Sequence, residues 1–180
     1  MLRYLASLAF ILTILHCRWI LAEQPIATIA IISNPYITTL PPEEIKDERG
    51  SVRDFLAKTS PAAFANAIKL INQLQPDATV IQGSLTWSGS AADFAKVREY
   101  VDQINVPVYT MPGHRDRLQG ALEPYRKALS DFDVDKSTQP INGTLLVFAS
   151  DLHGNPEVAT ARIQTQLSNV SNPKAVLLFG

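Results

Sequence analysis

Cysteine is nearly absent: the 180-residue chain has one, Cys17. A single thiol excludes a disulfide framework, so a folded core must stand on packing alone. A surplus of basic charge is also missing, with 16 Lys and Arg against 17 Asp and Glu. Without a basic face nothing neutralises the phosphates of a polynucleotide, and nucleic acid is excluded as the partner. Nor is there an apolar run of the roughly 20 residues that a membrane-spanning helix needs. The nearest, residues 5–15, is interrupted by His16, Cys17 and Arg18. What remains, 46% apolar and 18% charged residues, suits one globular domain and leaves no room for two.

The short apolar run has a meaning of its own. Arg3 precedes it and Ala22 follows it, which is the layout of a secretory signal peptide cleaved after Ala22. The sequence therefore divides into a signal peptide, 1–22, and one domain, 23–180, with secretion or periplasmic delivery expected. An uncleaved membrane anchor is the alternative. A lipoprotein site at Cys17 is disfavoured because His16 is not the small residue such sites require. Cleavage would remove Arg3, Arg18 and Cys17, leaving 14 basic and 17 acidic side chains, a balance of −3, and no thiol. "NGT" at Asn142 and "NVS" at Asn169 fit the glycosylation sequon, which matters only in a eukaryotic secretory pathway.

Along the domain, β-favouring apolar runs alternate with segments of helical period. Strands are predicted at 26–32, 78–82, 106–110, 145–149 and 175–179. Phe64, Ile68, Ile71 and Leu74 share one helical face, and Ser60-Pro61 reads as its N-cap and first turn. Pro76-Asp77 reads as its end. Phe94, Val97, Val101 and Ile104 mark a second helix, and residues 156–167 a third. The polar stretch 40–59 is expected to be a surface loop. This β-α-β repetition predicts an α/β fold with a largely parallel sheet covered on both faces. In such sheets the loops leaving the carboxyl ends of the strands form the site. Those loops begin at Ser33, Gly83, Met111 and Ser150.

Three of them carry "SNPY", "QGSLTWSG" and "MPGHRD". In that order they resemble the three N-terminal motifs of the calcineurin-like metallophosphoesterase superfamily. Its members carry Asp-x-His after the first strand, Gly-Asp after the second and Gly-Asn-His-Asp/Glu after the third. The resemblance spans residues 26–120, with a fainter continuation to 180. It rests on flanking residues: Ser33, Gly83, Leu85-Thr86, Ser88-Gly89, Pro112-Gly113 and Asp116. It implies an αββα four-layer sandwich of which this chain holds the N-terminal portion, the later His ligands falling beyond Gly180. The uncovered apolar surface implied by that shortfall would favour self-association or a protein partner.

The same resemblance implies a site without its ligands. A two-metal phosphoesterase needs carboxylate and imidazole donors to hold its ions, generate a hydroxide and clamp phosphate oxygens. Here Asn34 stands for Asp, Tyr36 for His and Ser84 for the bridging Asp; His114 replaces the ligand Asn and Arg115 the neighbouring His. Asn and Ser bring no charge, Tyr is protonated near neutrality, and Arg is a permanent cation that would repel a metal. Tyr36 and Trp87 are candidates to fill the space the metals would occupy. Taken singly, Asn34-Pro35 is an ordinary turn and His114 an ordinary surface histidine. Asp151 and His153 form the chain's only Asp-x-His pair and are weak candidates for metal ligation. They match either an intact first motif or the strand that follows the third. The second alignment is preferred, because the first three motifs already occupy their own loops.

Three functions are compatible with this pattern. The leading expectation is an exported pseudo-phosphoesterase domain that expects no cofactor and takes at most a phosphorylated or anionic small molecule. The alternatives are an active phosphoesterase with a rearranged site around His114, Asp151 and His153, using a divalent pair (Mn, Fe or Zn), and an unrelated α/β binding or structural domain.

Overall fold

Ile-, Val- and Thr-rich runs favour extended backbone, and where helices join them the strands they link lie parallel. A computed structural model of the chain describes residues 26–41, 44–45, 52–117, 122–133, 140–148, 156–168, 171 and 173–179. The order is β1 (Ile29–Ser33), α1 (Val52–Leu74), β2 (Ala78–Gly83), α2 (Ala91–Val101), β3 (Val108–Pro112), a 3-10 turn (Arg115–Arg117), α3 (Glu123–Leu129), β4 (Thr144–Phe148), α4 (Pro156–Ser168) and β5 (Ala175–Phe179). β1, β2 and β3 form one parallel sheet in sequence order; β4 and β5 form a second parallel pair. The register runs Ile29↔Ala78 to Ser33↔Gln82 and Thr79↔Val108 to Gly83↔Pro112, so β2 and β3 end level and β1 ends one residue short of them. The fold is therefore α/β with parallel strands, as the alternation predicts, but the described strands form two sheets where the alternation alone suggests one.

Alternation along the strands decides which side chains meet which layer. Ile81 and Val108, with Ala30 and Ile32, pack on Phe64, Ile68 and Ile71 of α1, Phe94, Val97 and Val101 of α2, and Tyr125 and Leu129 of α3. The opposite face brings Val80, Met111, Ile29 and Tyr109 against Leu146 and Phe148 of β4 and Phe179 of β5. Phe148 stacks on Phe179 with ring centroids 5.2 Å apart and lies 6.0 Å from Tyr109. Helices cover one face of the first sheet and strands of the second sheet cover part of the other.

Two polar devices join the sheets and finish the second one. Asn142 and Gly143 adopt φ of 50° and 86°, and Ile141 and Thr144 exchange two 2.8 Å bonds across them, the turn that Asn-Gly favours. Asn142 Nδ2 then donates to Asp77 Oδ1 at 2.5 Å, while Thr28 N–H donates to Asp77 Oδ2 at 2.7 Å. At the far end of β4, Gln166 of α4 accepts from Phe148 N–H at 3.0 Å and donates to Phe148 O at 3.1 Å. A side-chain amide thus takes the place of a neighbouring strand. On β5, by contrast, Val176, Leu177 and Leu178 are exposed.

Some boundaries differ from expectation. The helix expected to start at Ser60-Pro61 begins at Val52, inside the stretch read as a loop, and Pro61 lies within it. Proline costs a helix one backbone bond, and the packing of Phe64, Ile68 and Ile71 outweighs that local signal. The end is as expected: Gln75, at φ 48°, stops the helix before Pro76. β3 is displaced by two residues, to Val108–Pro112. The sequence pattern does not announce α3, because only Tyr125 and Leu129 of its seven residues are buried and so short an amphipathic repeat is indistinct. Residues 1–22 lie outside the described ones; among the described residues no helix is long and apolar enough to cross a membrane.

Thr79, on the helix-covered face, is fully buried, and its Oγ1 has no hydrogen-bond partner among the described residues. Thr79→Val keeps the shape and removes the stranded hydroxyl, so a stabilisation of about 1 kcal/mol is expected in urea unfolding. A loss of stability would show that the hydroxyl has a partner in solution.

Candidate functional site

The first sheet delivers three loops side by side at its carboxyl edge. The loop after β1 runs along the loop after β2 as an irregular ladder: Asn34 N–H donates to Gln82 O at 2.8 Å, Tyr36 N–H to Ser84 O at 3.1 Å and Ile37 N–H to Leu85 O at 2.9 Å. Asn34 and Tyr36 hold left-handed φ values of 51° and 48°. Asn tolerates that region; for Tyr it is uncommon and is sustained by the surrounding structure. Asn34 Oδ1 accepts from Ser84 N–H at 2.9 Å, so this carboxamide is engaged with backbone. A Cβ at Gly83, where φ is 82°, would land on that same oxygen, which explains the glycine.

The loop after β2 is held by two buried carboxylates. Asp116, fully buried, accepts from Leu85 N–H at 2.9 Å and Gly113 N–H at 2.8 Å through Oδ2, and from Thr86 N–H at 2.9 Å and Thr86 Oγ1 at 2.7 Å through Oδ1. Burial pushes its carboxyl above the usual carboxylate range, while the bonds from Thr86, Leu85 and Gly113 pull it down. Asp93 of α2, also fully buried, accepts from Ser88 N–H and Oγ at 3.2 and 2.6 Å and from Thr39 N–H and Oγ1 at 2.7 and 2.9 Å. The two carboxylates fix residues 85–88 from opposite ends. Gly113 completes the fit: a Cβ there would overlap the carbonyl carbon of Gly83 and lie 2.5 Å from Ser84 N.

Arg115 crosses from the third loop to the second. Its guanidinium carbon lies 3.8 Å from the centroid of the Trp87 ring, and its Nε donates to Trp87 O at 2.7 Å. Its backbone N–H points at Ser84 Oγ, 3.4 Å away. Trp87 is only 5% exposed, packed with Ile45 and, edge to face at 6.2 Å, with Tyr36. A cation above an indole is favourable by about 0.5–2 kcal/mol, and the carbonyl bond fixes the orientation.

Asn34, Tyr36, Ser84 and Arg115 are thus brought together by direct bonds, and the Tyr36 ring also packs on Trp87. His114 is exposed on the rim, its carbonyl accepting from Arg117 N–H at 3.2 Å. Asp151 and His153 lie outside the described residues. Among the described residues no cluster of three or more His, Cys, Asp or Glu side chains is placed to hold a metal ion. The donors at the described positions do not fit a metal pair: a neutral amide, a phenol, a buried hydroxyl, a guanidinium and one exposed imidazole. Sequence reasoning takes Asp116 only as a matching neighbour and misses Asp93. The available signal is the Thr and Ser residues that face these acids, Thr86 at Asp116 and Ser88 and Thr39 at Asp93, and it becomes informative only once the loops that carry them are known to touch.

Trp87 is the only tryptophan after residue 22, which makes this stack directly observable. Arg115→Ala is expected to red-shift its fluorescence and to cost about 1–2 kcal/mol of stability. Unchanged emission would contradict the stacked geometry.

No protein-family model and no curated protein matches the sequence. Among solved structures, the crystal structure of TT1561 of Thermus thermophilus is similar at a TM-score of 0.58 and 16% identity, covering 86% of this chain and 68% of that one. At that identity the likeness speaks to the fold alone.

Proposed function

We propose that this chain is an exported domain of the calcineurin-like metallophosphoesterase type, built on the αββα sandwich plan, that has given up metal-dependent catalysis. The observation that carries this reading is Arg115, a permanent cation fixed over Trp87 and bonded to its carbonyl, on the loops where such a domain would hold its ions. Asn34 supports it, because an amide supplies no charge to offset that of a metal, and its Oδ1 already accepts from Ser84 N–H. The loops keep a shared frame through Asp116 and Asp93, so their shape does not depend on a metal. With no hydroxide generated there, the site's remaining chemistry is recognition, and a fixed guanidinium suits a small phosphorylated or otherwise anionic molecule. Export rests on the N-terminal sequence alone.

Purified residues 23–180, incubated with p-nitrophenyl phosphate and Mn²⁺, are expected to release no product above the buffer rate. Turnover that His114→Ala or Asp151→Ala abolishes would overturn the proposal and establish a rearranged active site.

A further inference from the structure

We draw no further inference here: the strongest candidate, the outer edge of β5 with Val176, Leu177 and Leu178 exposed, carries nothing because nothing in the structure shows what covers it.

Discussion

Asp116→Ala is expected to destabilise the domain by about 3–5 kcal/mol, measured as a drop in the urea midpoint at constant slope. The carboxylate is fully buried and receives four hydrogen bonds, three of them from backbone N–H groups of two different loops. Truncation leaves those donors facing a void. Asp116→Asn separates the effect of shape from that of acceptor chemistry. The amide fills the same space, but its NH₂ must point at either the Leu85 and Gly113 donors or the Thr86 pair. A loss of about 2–3 kcal/mol is expected for the isostere. If Asp116→Asn were neutral, the four bonds to this carboxylate would not be those that hold the loops.

Gly113→Ala is expected to cost about 3 kcal/mol or more through overpacking. Its Cβ would overlap backbone atoms of Gly83 and come within 2.5 Å of Ser84 N, so no side chain can rotate away to make room. The ends of β2 and β3 would have to part, stretching the 2.9 Å bonds from Leu85 and Thr86 N–H to Asp116. Gly143→Ala is the control. There φ is 86° and the nearest atoms belong to the flexible Lys174 side chain at 3.1 Å. Only the left-handed penalty of about 1–2 kcal/mol is expected. Equal losses at the two positions would mean that the close approach of the loops is not maintained in solution.

How much of this is legible in the sequence depends on the range of the interaction. Strand β5 is found where its apolar run predicts, and β2 differs by one residue, because a β-branched run and its flanking breakers are local information. The start of α1 fails for the complementary reason: Ser60-Pro61 is a strong local signal that non-local packing overrides. Placing the three loops together follows from the parallel α/β reading, since strand ends in one sheet share an edge. Which side chains then touch does not follow. Nothing in "TWSGS" says that Trp87 lies under Arg115, and nothing in "HRD" says that Asp116 turns inward while His114 turns out. Tyr36 and Trp87 do pack together, as their size suggests, with Ile45 as a neighbour that local reading could not supply.

The most direct test of the account is a calorimetric titration of Mn²⁺ into residues 23–180 purified through a chelating step. The prediction is no saturable binding, because Asn34, Tyr36, Ser84 and Arg115 supply no anionic donor and one fixed cation. Stoichiometric uptake lost on His114→Ala or Asp151→Ala would contradict it.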